Sequence, residues 1–104
     1  MQIIPLQAIP NQTLQVQLAG QNCAVNVYQL STGVFVDLYL AGTVIISGVV
    51  AQDRNRIVRD AYLGFTGDLS FIDIQGTQDP DYTGLGGRYV LCYLDAFDLA
   101  QGEG

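Results

Sequence analysis

The sequence predicts an all-β protein: a single-domain antiparallel β-barrel or β-sandwich of about six to eight strands with an extended N-terminal arm. Three observations lead there. Apolar residues recur with period two, as in half-buried strands, and no segment carries a convincing apolar stripe at helical spacing. Short glycine-bearing links separate the alternating runs, as hairpins require. The 104 residues suffice for one core, since a chain of this size buries roughly two-thirds of its unfolded surface.

The chain opens on an extended arm, residues 1–12, in which Pro5 and Pro10 flank Leu6 and Ile9. Proline fixes φ and removes a donor, which bars this arm from the middle of a sheet and sends it along an edge, its own or a neighbour's. Thr13–Leu18 places Leu14, Val16 and Leu18 on one face and Gln15 and Gln17 on the other. Cys23–Leu30 alternates Cys23, Val25 and Val27 with Ala24, Asn26 and Tyr28; Val34–Leu40 alternates Val34, Val36, Leu38 and Leu40 with Phe35, Asp37 and Tyr39. The links around Gly20, Gly33 and Gly42 make these runs an antiparallel meander.

Thr43–Ala51 breaks the pattern. Val44, Ile46 and Val50 share one face, yet Ile45 and Val49 occupy the other. Such a strand needs cover on both faces, from another subunit or from a central place in a closed barrel. Gln52–Asp60 is polar, with Arg54 and Arg56 on one face of an extended chain. Ala61–Phe65 and Asp68–Ile74 read as strands interrupted by Thr66-Gly67, Gly76–Gly87 as a glycine-rich loop, and Arg88–Leu94 as the closing strand. The acidic tail, residues 95–104, is expected to fray.

Composition narrows the function. The chain has no His and no Lys, so it lacks the usual general base near neutral pH and the imidazole metal ligand. Ser31, Ser47 and Ser70 have no base to activate them. Asp68 and Asp73 lie five residues apart in one strand and face opposite sides, so they do not converge as paired carboxylates. No enzymatic activity and no cofactor are expected. With net charge −6 and four arginines as the only cations, a phosphate-binding patch cannot be assembled, and neither nucleic acid nor an anionic membrane is an expected partner. The opening residues lack the basic start of a signal peptide.

Charged residues make up 13% of the chain, about half the usual share, while 49% are hydrophobic. Such a balance fits a surface largely covered by partner proteins. Cys23 and Cys92 form no metal or redox spacing and are expected to be buried free thiols. Asp79, Asp81 and Gly84 match three positions of a calcium loop, but Thr83 and Val90 replace stronger ligands, so a turn accounts for them better.

The stretches IIPLQAIPNQTLQVQL, GQNCAVNVYQ, GVFVDLYLAGTVIISGVVAQDRNRIV and YLGFTGDLSFIDIQGTQDPDYTGLGGRYVLCYL together resemble the small baseplate plug proteins of contractile-tailed bacteriophages. The likeness runs over roughly residues 1–95 and is weakest after Leu94. It implies a virion structural protein, present in several copies at the hub and tail-tube end of the baseplate and assembled in the host cytoplasm. Its implied partners are hub, tail-tube and tape measure proteins and copies of itself. The competing reading is a small β-barrel module binding carbohydrate or peptide, with Tyr82 as a stacking surface.

The residues expected to meet other proteins are Ile4, Leu6 and Ile9 in the arm, Arg54, Arg56 and Arg59 in the polar segment, and Tyr82 and Leu85 in the glycine-rich loop. Guanidinium groups suit interfaces because they pair bidentately with carboxylates and stack on aromatic rings. The chain's own Asp53, Asp60, Asp68 and Asp73 compete for them.

Overall fold

A computed structural model of the chain describes residues 2–58 and 65–95. Its strands are β1 (Gln2–Ile4), β2 (Asn11–Leu18), β3 (Gln21–Leu30), β4 (Gly33–Leu40), β5 (Thr43–Val50), β6 (Asp68–Asp73) and β7 (Tyr89–Leu94). They form two antiparallel sheets, β2-β3-β4-β5 and β1-β7-β6, so the fold is an open sandwich and not a closed barrel. Of the strand expected over Ala61–Phe65, only Phe65 lies among the described residues; Arg59 and the tail from residue 96 lie outside them.

The meander follows from the alternation. Asn11 pairs with Tyr28 and Leu18 with Gln21, and Cys23 pairs with Leu40 and Leu30 with Gly33, with no register shift in either ladder. Cys23, Val25, Val27, Val34, Val36 and Leu38 therefore point inward and are buried. They meet Leu69, Phe71, Leu91 and Ile4 from the other sheet in one continuous core. Burying side chains of this kind contributes about 1.5–3 kcal/mol each relative to exposure. The turns are tight: Ala19 and Ala41 take positive φ ahead of Gly20 and Gly42.

β5 is an edge strand, and its two apolar faces have a geometric cause. Its ladder with β4 shifts register between Val36 and Leu38 and again between Leu38 and Tyr39. Gly48, at φ +68°, sits in the first bulge. Each extra residue slips the side-chain phase by one. Ile46 and Val49 thus lie opposite the inward-facing Leu38 and Val36, whereas Val44 and Val50 lie opposite Tyr39 and Phe35 on the outer face. Ile46 and Val50, expected on one face, are on opposite ones. Asp37 fixes the bulge: its Oδ1 accepts from the Gly48 N–H at 2.7 Å and from the Tyr28 hydroxyl at 3.0 Å, while Oδ2 accepts from Asn26 Nδ2 at 3.2 Å.

The two sheets are joined at residues 51–58. The Ala51 N–H still donates to Val34 in the first sheet, but the Arg54 N–H donates to Phe71 and the Ile57 N–H to Leu69 in the second. This segment runs beside β6 and covers its outer edge. Arg54 turns the chain there with φ +60°, so Arg54 and Arg56 do not belong to a simple extended run. On the opposite side, β1 pairs with β7, Ile4 opposite Leu91, which lays the N-terminal arm along this chain's own sheet.

Candidate protein–protein interface

Two buried carboxylates lock the parts of the fold that carry its surfaces. Asp68, at the start of β6, is 2% exposed. Its Oδ1 accepts from the N–H groups of Ile57 at 3.1 Å, Val58 at 2.7 Å and Leu69 at 2.6 Å. The crossing segment, which meets β6 only through isolated bridges, is thus held to it by the carboxylate as well as by its backbone bonds to Phe71 and Leu69. Asp73, at the end of β6, is 1% exposed and pairs bidentately with Arg88, Nε to Oδ1 and Nη2 to Oδ2, both at 2.8 Å. The Gln75 and Gln78 N–H groups also donate to it, which closes the loop leaving β6. The two carboxylates face opposite sides of the sheet, as the spacing requires.

The Arg88 guanidinium, and then the two backbone donors, outweigh burial and hold the Asp73 carboxyl well below the usual carboxylate range. A depressed carboxyl stabilises the fold above its unfolded value, near pH 4, and that contribution is lost as pH falls from about 4 toward the folded value. Denaturation midpoints measured against pH are therefore expected to fall below about pH 4. Arg88→Gln is expected to lower stability at neutral pH and to flatten the acid slope. An acid slope unchanged by that substitution would contradict the pairing.

The residues expected at an interface divide between the core and the surface of this chain. Ile4 and Leu85 are buried in this chain's core. Leu6 and Tyr82 are half-buried and packed against it. Leu6 is fixed by Gly86, whose φ is +80° and where a Cβ would stand 2.2 Å from the Leu6 carbonyl oxygen. Arg54 is exposed but tied to its own chain, bonding the Asp53 carboxylate and the carbonyls of Gly76 and Asp73. Arg56 is half-buried, and Arg59 lies outside the described residues. Of the apolar candidates, Ile9 reaches solvent most fully. Arg88, which clamps Asp73, was not among the expected residues. The signal for it was a lone arginine following Gly86-Gly87 at the foot of the last strand.

The exposed apolar surface lies on the two outer faces of the sandwich. On the three-stranded sheet, Ile74 is 62% exposed and Ile3 53%. Half-buried Ile72 and Val90, paired opposite each other, lie on the same face, as do the buried Cys92 and Ser70 beside Ile3. On the four-stranded sheet, Val44 is 51% exposed and Val50 38%. Val50 lies opposite Phe35, and the Phe35 ring stacks on Tyr28 at a centroid distance of 6.1 Å. Exposed apolar side chains on both faces of so small a sandwich, Ile74 and Ile3 on one and Val44 and Val50 on the other, suit contact with other proteins.

The loop carboxylates bond to backbone N–H groups of this chain. Asp79 Oδ1 accepts from the Asp53 N–H, and Asp81 caps the short 3-10 turn Tyr82–Gly84 through the Thr83 N–H and hydroxyl. These carboxylates act as turn caps. Among the described residues no group of three or more His, Cys, Asp or Glu side chains is placed to hold a metal ion. Cys23 and Cys92 are buried free thiols, and burial raises the pKa of both. An open groove of about 510 Å³ runs past Gln15, Gln17, Asn22, Ala24 and Gly42, lined by amides and without an aromatic ring.

No curated protein matches the chain. A family model does, over residues 1–96, a span that includes both sheets. The chain belongs to the family described as cyanophage baseplate Pam3 plug gp18, which makes it a structural protein of the phage baseplate.

Proposed function

We propose that this chain is a baseplate plug of a contractile phage tail, packed at the hub end of the tail tube and helping to close the tube until contraction. The family match over residues 1–96 is the observation that carries this reading. The surface supports it. A chain with 13% charged residues leaves apolar side chains exposed on both outer faces, and subunits inside a large assembly can cover both. Its neighbours in this reading are hub, tail-tube and tape measure proteins and further copies of itself, assembled in the host cytoplasm. Ile9 and Arg54, at the exposed margins, contribute to these contacts.

Co-expression with the tail genes encoded beside it tests the proposal. A stable complex of fixed stoichiometry is expected. A monomer that ignores the tail proteins would contradict it. Within such a complex, Ile74→Asp is expected to weaken association by at least roughly tenfold, the loss of a central apolar anchor. The same substitution is expected to leave the isolated chain within about 0.5 kcal/mol of its original stability, because Ile74 is largely outside the core. Unchanged binding by Ile74→Asp would remove that face from the interface.

A further inference from the structure

We infer that β2 is a self-complementary docking edge through which two copies of this chain pair antiparallel, joining their four-stranded sheets. This inference rests on strand geometry and not on the baseplate reading. The Gln29 N–H donates to the Pro10 carbonyl, which makes Pro10 and Gln29 a hydrogen-bonded pair. In an antiparallel ladder such pairs recur at every second residue. The unshifted register therefore aims the N–H and C=O of Gln12, Leu14, Val16 and Leu18 at β3. The same groups of Asn11, Thr13, Gln15 and Gln17 point away from the sheet. Among the described residues no hydrogen bond reaches them.

Natural sheets blunt such edges with charge, proline, bulges or very short strands. β2 has none of these within its eight residues, NQTLQVQL. The other edges of the fold do. β5 is bulged, β1 is three residues long and is followed by Pro5, and the crossing segment covers β6.

A row of alternating main-chain donors and acceptors is matched by another extended main chain. The occupant is a second copy because the strand fits itself. With Leu14 opposite Leu14 of the other copy, Asn11 meets Gln17 and Thr13 meets Gln15. All four outward N–H and all four outward C=O groups of each chain are then matched. Like charges brought opposite each other across a twofold axis would repel. Each chain carries a net charge of −6, yet β2 holds no charged residue, so the pairing avoids that penalty. The amide side chains Asn11, Gln15 and Gln17 pair across the outer face, and half-buried Leu14 and Val16 gain cover on the inner one.

Sedimentation equilibrium and amide hydrogen exchange on the full chain test this, over concentrations from micromolar to hundreds of micromolar. A reversible dimer is expected, with the amides of Asn11, Thr13, Gln15 and Gln17 protected in step with dimer formation. Gln15→Pro removes an outward N–H that β3 does not use and is expected to weaken the dimer by at least roughly tenfold. Should that variant misfold, the double variant Thr13→Lys, Gln15→Lys alters only exposed side chains and sets four cations around the axis, with the same expected loss. A monomer at every concentration overturns the inference, as does a dimer that neither variant weakens. A monomer that still joins the tail proteins, with those four amides protected only in that complex, also overturns it and leaves the baseplate role standing.

Discussion

Asp68→Ala is expected to destabilise the chain by about 3–5 kcal/mol, enough to leave much of it unfolded at 37 °C, since each orphaned buried donor costs about 1–3 kcal/mol. The physical reason is local. Three N–H groups, of Ile57, Val58 and Leu69, converge on one buried carboxylate oxygen. Ile57 and Val58 are themselves core residues, 3% and 4% exposed. Removing the acceptor strands the Val58 and Leu69 donors, leaves Ile57 only the Leu69 carbonyl, and loosens the crossing segment that ties the second sheet to the first. Asp68→Asn keeps an acceptor oxygen in place and is expected to lose much less. Urea denaturation of the three proteins measures the difference. Equal stability of Asp68→Ala and the parent chain would show that the carboxylate does not organise the crossing.

Phe71→Ala is the second large effect, expected at about 3–5 kcal/mol from lost transfer energy plus the cavity left behind. Phe71 is fully buried in β6, pairs with Leu91, and also anchors the crossing segment through its carbonyl, which accepts from the Arg54 N–H. The melting temperature should fall by about 4–8 °C for each kcal/mol lost in a domain of this size. Phe71→Leu, which retains most of the volume, is expected to lose markedly less. Calorimetry distinguishes them. A small and equal shift for both would mean that the sheets do not close over this ring.

The meander was legible because period two admits a single answer in each of its first three strands. The alternating runs Thr13–Leu18, Cys23–Leu30 and Val34–Leu40 end within two residues of β2, β3 and β4, and the face with Val25, Val27, Val34, Val36 and Leu38 is the buried one. The arm's prolines fit the edge position that β1 takes beside β7. The bulges in β5 were not legible. A one-residue slip leaves the apolar content of the strand unchanged while it exchanges the faces, and only the β4–β5 pairing, with the Asp37–Gly48 bond at the first bulge, reveals where the slips occur.

The surface was less legible than the core for a related reason. Leu85 and Ile4 are apolar residues in irregular or terminal segments, where no period says whether they point in or out. The polar segment carries three arginines, but the decisive ion pair uses the fourth. Asp73 and Arg88 are fifteen positions apart and meet because the β6–β7 ladder closes on them. Ile3 and Ile74 share a sheet face with Ser70 and Cys92, which are buried, so alternation along the strands does not by itself mark which residues of that face are exposed.

Neighbouring proteins are expected to cover the apolar surface that this chain leaves exposed. A cryo-electron microscopy map of the co-expressed tail complex tests that most directly. Both outer faces are expected in contact with neighbours, one through Ile3 and Ile74 and the other through Val44, Val50 and Phe35. A map in which the chain occupies the complex with both faces open to bulk water, or in which it is absent, would contradict that expectation.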